Sequence, residues 1–71
     1  MTKAYNITFK PHGRTSLLVD LIESNIVYAN NKASAKELGQ AIVRDHYTEK
    51  NNPDPEYMVK QYSYIIERED I

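Results

Sequence analysis

The chain has no cysteine, no tryptophan and only two glycines among its 71 residues. The absence of cysteine excludes disulfides and thiolate metal sites. Gly13 and Gly39 are too far apart to form the glycine-rich loop of a P-loop or dinucleotide site. No run approaches the ~20 apolar residues of a membrane span, so we expect no membrane partner. These absences exclude several classes of enzyme and scaffold.

The short length is a second constraint. A chain of 71 residues forms one domain at most and buries only about 60% of the surface of its unfolded state. Small domains are commonly stabilised by disulfides, metals or oligomerisation. The two histidines lie in no dense cluster of carboxylates along the sequence, which argues against a structural zinc. We therefore expect a single domain over residues 1–71, no metal, no cofactor, and association into a homodimer.

The N-terminal region is basic and alternates in polarity. Residues 1–19 contain Lys3, Lys10 and Arg14 and no acidic side chain, whereas residues 37–71 contain four basic and eight acidic ones. The formal net charge of −1 lacks the strong basic balance of a non-specific nucleic-acid binder. The alternation leaves no apolar stretch for a signal peptide, so we expect a cytoplasmic location.

An alternative function rests on that basic segment. Lys3, Lys10 and Arg14 lie near the aromatic residues Tyr5 and Phe9 in the sequence. Sheets that bind single-stranded nucleic acid stack bases on aromatic side chains between such cations. The two aromatic residues also fit the core face of a strand. Nucleic-acid binding through the three cations is therefore the alternative to a protein-binding function.

The clearest strand pattern covers residues 4–10. Tyr5, Ile7 and Phe9 fall on one face and polar side chains on the other, which is the two-residue period of a half-buried strand. The Pro-His-Gly-Arg sequence that follows predicts a turn, because proline presets φ and glycine accepts positive φ.

Residues 16–24 form a short apolar run with two interpretations. As a strand, the run places Leu17, Val19 and Leu21 on one face. As a helix, it presents an apolar stripe behind a Thr or Ser N-cap. The preceding turn is short enough for a hairpin, which favours a second antiparallel strand.

Ser34-Ala35-Lys36-Glu37 is a capping box, in which the Ser34 and Glu37 side chains accept from each other's backbone N–H groups. It predicts a helix from Ala35 to about Thr48, with Ser34 as the N-cap, after a brief strand over residues 26–29. The helical period divides the helix into a buried face and an exposed face. The predicted buried face is Ala35, Leu38, Gly39, Ile42, Val43 and His46, and the opposite face is Lys36, Gln40, Arg44 and Tyr47.

Residues 56–67 are again open to two interpretations. Asp54 suits an N-cap and Pro55 suits the first helical position, and the apolar residues beyond them have helical spacing. Tyrosine and isoleucine nevertheless dominate this stretch and alternate as in a strand. The sequence favours one helical turn followed by a closing strand. The elements together predict an α+β domain of order β-β-(β)-α-β, with a small antiparallel sheet of three to four strands and one helix packed on one face.

Asp45-His46-Tyr47 is the triplet that most resembles reactive chemistry. Neighbouring side chains on a helix point about 100° apart, so Asp45 cannot orient His46 as in a catalytic triad. The sequence offers no nucleophile elbow and no locally paired carboxylates. We therefore expect no catalytic residue and no enzymatic activity.

The six tyrosines are the main compositional bias. Tyrosine joins a large apolar body to a polar tip, which suits protein interfaces. In a C-terminal strand, Tyr62 and Tyr64 share a face with Lys60 and Arg68 at its ends, and we expect these four residues to bind a partner. Tyr64 is the expected core residue, and Tyr62, nearer Lys60, is the expected exposed anchor.

The stretch IVYANNKASAKEL, residues 26–38, resembles the strand–cap–helix unit of small phage-encoded accessory proteins, some anti-CRISPR inhibitors among them. The resemblance covers less than a third of the chain and carries no site residue. It implies a non-enzymatic inhibitor or accessory protein in the host cytoplasm. We expect a small modulatory protein that binds and occludes a partner protein.

Overall fold

The structure, a computed structural model, describes residues 2–12 and 19–69. In chain order, its elements are β1 (Lys3–Pro11), β2 (Asn25–Ala29), α1 (Lys32–Glu49), α2 (Pro55–Val59) and β3 (Tyr62–Arg68). The three strands form an antiparallel sheet in the order β2-β1-β3, and α1 packs against one face of it. This arrangement confirms the predicted α+β fold.

β1 is the central strand and supplies much of the core. Its side chains alternate as predicted, and Tyr5, Ile7 and Phe9 are buried under the helices. Tyr5 lies opposite Val27 of β2 and Arg68 of β3, which fixes the register on both sides. Because both neighbours pair with β1, β2 and β3 are the edge strands of the described sheet.

The predicted start of the long helix is wrong by one turn. α1 begins at Lys32, and its N-cap is Asn31, whose side-chain oxygen accepts from the backbone N–H of Ser34 at 2.8 Å. Ser34 is thus the third helical residue and not the cap. Asparagine caps a helix as well as serine does, and capping at Asn31 gains one further turn directly after β2.

The end of α1 depends on a left-handed residue. Asn51 has φ of 60°, a conformation that asparagine tolerates better than most residues. Its backbone N–H donates to Thr48 O at 3.0 Å, and that of Asn52 donates to Tyr47 O at 2.9 Å. These two bonds form a Schellman motif, which satisfies carbonyl groups that the helix end would leave unpaired.

The buried face of α1 is a stripe of every fourth residue: Ala35, Gly39, Val43 and Tyr47. The prediction of Tyr47 on the exposed face is therefore wrong, and the predicted core residue Leu38 is 41% exposed. The helical period groups Tyr47 with Arg44, although Tyr47 lies one turn after the buried Val43 and is apolar apart from its hydroxyl. The fold gives that hydroxyl hydrogen-bond partners, so the ring can be buried.

Gly39 lies in close contact with the sheet. A Cβ atom at this position would lie 3.1 Å from Ile7 Cδ1 and 3.4 Å from Tyr64 Cδ2. Ile7 is fully buried, so it has little room to move away. The missing side chain of Gly39 therefore lets the helix lie directly on β1.

The strand predicted over residues 16–24 is wrong in its described part. Residues 19–24 form neither strand nor helix, and residues 16–18 lie outside the described part of the chain. Val19 and Ile22 pack against the core, whereas Leu21 is exposed. Apolar residues in this run anchor an irregular segment, and periodicity alone cannot distinguish that role from a strand.

The C-terminal elements follow the favoured interpretation. Asp54 caps α2 by accepting from Tyr57 N at 3.1 Å, and Pro55 is its first residue. The chain then enters β3, which pairs with β1 from Tyr62 to Arg68. The favoured closing strand is therefore confirmed, and the short helix α2 precedes it.

The cap geometry yields a stability prediction. Asn31→Ala should lower the free energy of unfolding by about 1 kcal/mol, because the Ser34 N–H loses its acceptor. The matched control Ser34→Ala keeps that bond and should change stability by less than ~0.5 kcal/mol. Urea denaturation followed by circular dichroism measures both, and a larger loss for Ser34→Ala would contradict the assigned helix start.

Candidate partner-binding site

The four predicted partner-binding residues lie along the last strand and the turn before it. Tyr62, Tyr64 and Arg68 belong to β3 and alternate toward the helix-bearing face. Lys60 lies outside the strand, where it is the C-cap of α2. The structure therefore brings Lys60 close to the two tyrosines through a turn and not through a shared strand.

The structure contradicts the role expected for Tyr62, whereas Tyr64 packs against the core as expected. Tyr62, predicted as the exposed anchor, is only 3% exposed, so that prediction is wrong. Tyr64 is half-buried, packs edge-on against Phe9, and donates its hydroxyl to Val59 O at 2.8 Å. Burial raises the pKa of Tyr64 to about 12. In its inward position, the Tyr62 hydroxyl has two hydrogen-bond partners, the Tyr47 hydroxyl and Asp20 O.

An open groove of about 420 Å³ lies between α1 and β3. Its lining residues come from the first half of α1, the end of α2 and the start of β3, and they are Lys36, Gln40, Val59, Lys60, Tyr62, Ser63 and Tyr64. Three of the four predicted binding residues line it, and Arg68 does not. The groove therefore combines an apolar floor of valine and tyrosine with two cationic side chains.

The sequence interpretation missed the contribution of α1 to this groove. Lys36 and Gln40 were predicted on the exposed face of the helix, one turn apart. Their i, i+4 spacing marks a common row, but only the tertiary packing shows that the row runs beside β3. The ion pairs among the described residues join Arg44 to Glu56, and Asp20 to His46 and Lys50. The lysines of the groove belong to none of these pairs.

The ion pair between Arg44 and Glu56 connects α1 to α2 near the groove. The Arg44 guanidinium holds the pKa of Glu56 below its ordinary value, and Lys60 lowers it further from a longer distance. The positive charge of Arg44 is thus matched locally, whereas Lys36 and Lys60 line the groove and belong to no ion pair among the described residues.

Two hydrogen bonds at the ends of the β1–β3 pair show which backbone groups of β3 point away from β1. His12 N donates to Gln61 O at 3.0 Å, and Glu69 N donates to Ala4 O at 2.9 Å. Backbone groups alternate in direction along an antiparallel strand, so the odd-numbered residues of β3 face β1. The N–H and C=O groups of Tyr62, Tyr64 and Ile66 therefore point to the edge. No other described strand pairs there.

Tyr62, which lines the groove, also belongs to a ring of hydrogen bonds at the edge of the core. The Tyr62 hydroxyl donates to Asp20 O at 2.6 Å, the Tyr47 hydroxyl bonds to that of Tyr62 at 2.6 Å, and Asp20 N donates to Tyr47 Oη at 2.9 Å. Burial, together with the bond to Tyr47, raises the pKa of Tyr62. The ring ties β3, α1 and the segment at Asp20 together.

The Asp20 carboxylate extends this ring to the surface. His46 Nε2 lies 2.9 Å from Asp20 Oδ2, and Lys50 bonds to the same oxygen. Hydrogen bonds from Lys50 and then His46 hold the pKa of Asp20 below its ordinary value of 3.8. The carboxylate beside His46 is thus a distant residue and not its neighbour Asp45. This cluster connects two segments, and among the described residues no group of three His, Asp or Glu could hold a metal ion.

The cations of the alternative nucleic-acid site do not share a surface. Lys3 and Lys10 lie near opposite ends of β1 and, seven residues apart, on opposite faces of the sheet. Arg14 lies outside the described residues. The aromatic residues Tyr5 and Phe9 are buried, so neither ring can stack on a base. The described part of the chain therefore does not assemble the predicted basic, aromatic platform.

No family model matches this chain, and neither curated proteins nor solved structures give a match. The resemblance of residues 26–38 to phage-encoded accessory proteins therefore stays a prediction. None of the helices in residues 2–12 and 19–69 is long and apolar enough to cross a membrane.

The ring of hydrogen bonds predicts that removing the Tyr62 hydroxyl destabilises the fold more than removing the Tyr28 hydroxyl. Tyr62→Phe should lower the free energy of unfolding by about 1–3 kcal/mol, because Asp20 O and the Tyr47 hydroxyl lose a buried partner. The control Tyr28→Phe removes a hydroxyl from a side chain that is 66% exposed and should cost less than ~0.5 kcal/mol. Thermal and urea denaturation measure both variants. If Tyr62→Phe and Tyr28→Phe lower the stability equally, the ring does not stabilise the fold.

The Asp20 cluster predicts a specific dependence of stability on pH. The folded state lowers the pKa of Asp20, so its contribution is complete above the ordinary value of 3.8 and is lost as pH falls through the lower folded pKa. Asp20→Asn should therefore be less stable than the natural chain near neutral pH, and the two should converge in acid. A constant stability difference across the acid range, measured by urea denaturation, would contradict this assignment.

Proposed function

We propose that this chain is a small, non-catalytic protein-binding protein that acts by occluding a partner. The partner contributes an extended segment, which adds to the outer side of β3 along the groove beside α1. The observation that carries the proposal is the row of outward N–H and C=O groups at Tyr62, Tyr64 and Ile66, next to a groove lined by two lysines.

Backbone pairing supplies the first part of this recognition. An extended peptide that adds to an exposed sheet edge gains main-chain hydrogen bonds, and pockets for alternate side chains give specificity. The helix-facing side chains of such a segment would enter the groove, where Val59 and Tyr64 offer apolar contact. The side chains between them would point to the uncovered face of the sheet.

Charge supplies the second part. Lys36 and Lys60 line the groove from two different elements, so both can meet the side chains of one bound segment. Complementary charge increases the rate of encounter and selects among partners. We therefore propose that the bound segment is acidic. The chain as a whole has a net charge of −1, so this preference is local to the groove.

The same charges disfavour a second copy of the chain at this edge. In antiparallel pairing of two β3 strands centred at Ile65, the side chains opposite Tyr62 and Tyr64 are Arg68 and Ile66 of the other copy. The second copy would thus bring a cation, and no acidic side chain of β3, to the face of the sheet beside Lys36 and Lys60. A segment of a different protein, rich in aspartate or glutamate, fits this edge better than self-pairing.

Binding of defined peptides tests the proposal. A fluorescent heptapeptide in which glutamate alternates with valine should bind, and the matching peptide with lysine in place of glutamate should not. Lys36→Glu combined with Lys60→Glu should weaken binding of the acidic peptide by about tenfold or more. The control Lys32→Glu changes an exposed lysine of α1 that does not line the groove and should leave the affinity unchanged.

N-methylation of the peptide tests strand addition itself. Methyl groups on one alternate set of amides should abolish binding, and methyl groups on the other set should not, because only one set faces β3. Fluorescence anisotropy measures each affinity. The proposal is contradicted if the acidic and basic peptides bind equally, if the acidic peptide does not bind, or if both methylated sets behave alike.

A further inference from the structure

We propose that β2 is a homodimer edge: it pairs antiparallel with β2 of a second copy, centred at Val27. The two sheets then form one continuous six-stranded sheet. This site is separate from the proposed function at β3, since the two edges lie on opposite sides of β1.

The backbone of β2 has open groups for this pairing. The even-numbered residues of β1 face β3, so its odd-numbered residues face β2, and Tyr5 pairs with Val27 in that ladder. The N–H and C=O groups of Ile26 and Tyr28 consequently point outward. No other described strand pairs with this side of β2.

The composition of β2 fits pairing with itself. The strand reads Asn-Ile-Val-Tyr-Ala and contains no charge, proline or glycine. Edge strands that remain single commonly carry lysine, proline or a bulge that prevents pairing, and β2 has neither of the first two. In a symmetric dimer each strand meets its own copy, so a charged residue near the centre would meet a like charge. β2 has none, whereas β3 includes Glu67 and Arg68.

The exposed side chains of β2 specify the register. Ile26 is 50% exposed and Tyr28 is 66% exposed, and both lie on the sheet face that α1 leaves uncovered. Centring at Val27 places each Ile26 directly opposite Tyr28 of the other copy. Pairs of aromatic and β-branched residues across strands are favourable, and the symmetry makes two of them side by side.

The backbone selects the same register. The N–H and C=O groups of Ile26 and Tyr28 both point outward. Pairing Ile26 of one copy with Tyr28 of the other therefore makes two hydrogen-bonded pairs that lie within β2. Pairing centred at Ile26 or at Tyr28 also matches the direction of these backbone groups. In the first case Tyr28 would pair with a residue outside β2, and in the second case Ile26 would. The register at Val27 is thus the one in which backbone and side chains agree.

Sedimentation equilibrium from low micromolar to millimolar concentration tests the dimer. The natural chain should show a monomer–dimer equilibrium, and Ile26→Lys or Tyr28→Lys should weaken it by at least about tenfold. Each lysine replaces one member of both aromatic–aliphatic pairs, and the two lysines of the dimer become diagonal neighbours on one face of the sheet. The control Ile65→Lys changes an exposed residue of the same sheet face on the other edge strand. It should leave dimerisation unchanged, and circular dichroism checks that each variant folds.

Cross-linking tests the register independently. The chain has no cysteine, so a single Val27→Cys can form a disulfide only between two copies. The two introduced thiols would lie in a directly opposed, non-hydrogen-bonded pair, where the Cα atoms are about 4.5 Å apart, within disulfide range. Mild oxidation should cross-link Val27→Cys much faster than Ile26→Cys. A monomer at every concentration, loss of the dimer on Ile65→Lys, or faster cross-linking of Ile26→Cys would each overturn the proposal.

Discussion

The close contact between α1 and β1 at Gly39 is the constraint on which the remaining structure depends. A Cβ atom there would lie 3.1 Å from Ile7 Cδ1, which is tighter than ordinary van der Waals contact, so the missing side chain lets α1 lie directly on β1. Gly39 belongs to the buried stripe from Ala35 to Tyr47. Because α1 packs on a single face, no described helix covers the other face of the sheet, and no described strand pairs with the outer sides of β2 and β3.

Hydrogen bonds of two tyrosine hydroxyls connect α1 and β3 to the irregular segment at Asp20. Tyr47, Tyr62 and the backbone of Asp20 form a closed ring of hydrogen bonds, and His46 and Lys50 hold the Asp20 side chain from outside. Buried hydroxyls are tolerated when each has a partner. Some of the six tyrosines therefore stabilise the core.

The two edge strands differ in charge. β3 lies beside cationic side chains, whereas β2 contains no charged residue.

Local signals in the sequence predicted elements well and their surroundings poorly. The alternation around Ile7 and the Asp-Pro pair before α2 depend on nearest neighbours, so β1 and the turn–strand unit at the C-terminus were predictable. The N-cap was misplaced because Asn31 and Ser34 both suit that role. Tyr62 was misplaced because its burial depends on a partner, Asp20, that lies 42 residues away. The groove was missed for the same reason, since its walls come from three elements.

The outward N–H and C=O groups at alternate residues of β2 and β3 pair with no described strand. Amide hydrogen exchange resolved by residue, at low protein concentration, measures this most directly. The amides of Tyr64 and Ile66 should exchange much faster than those of Ile65 and Glu67, which face β1 in the deduced register. Equal, strong protection of both sets would show that this edge is already closed within the chain, and the account would then be wrong.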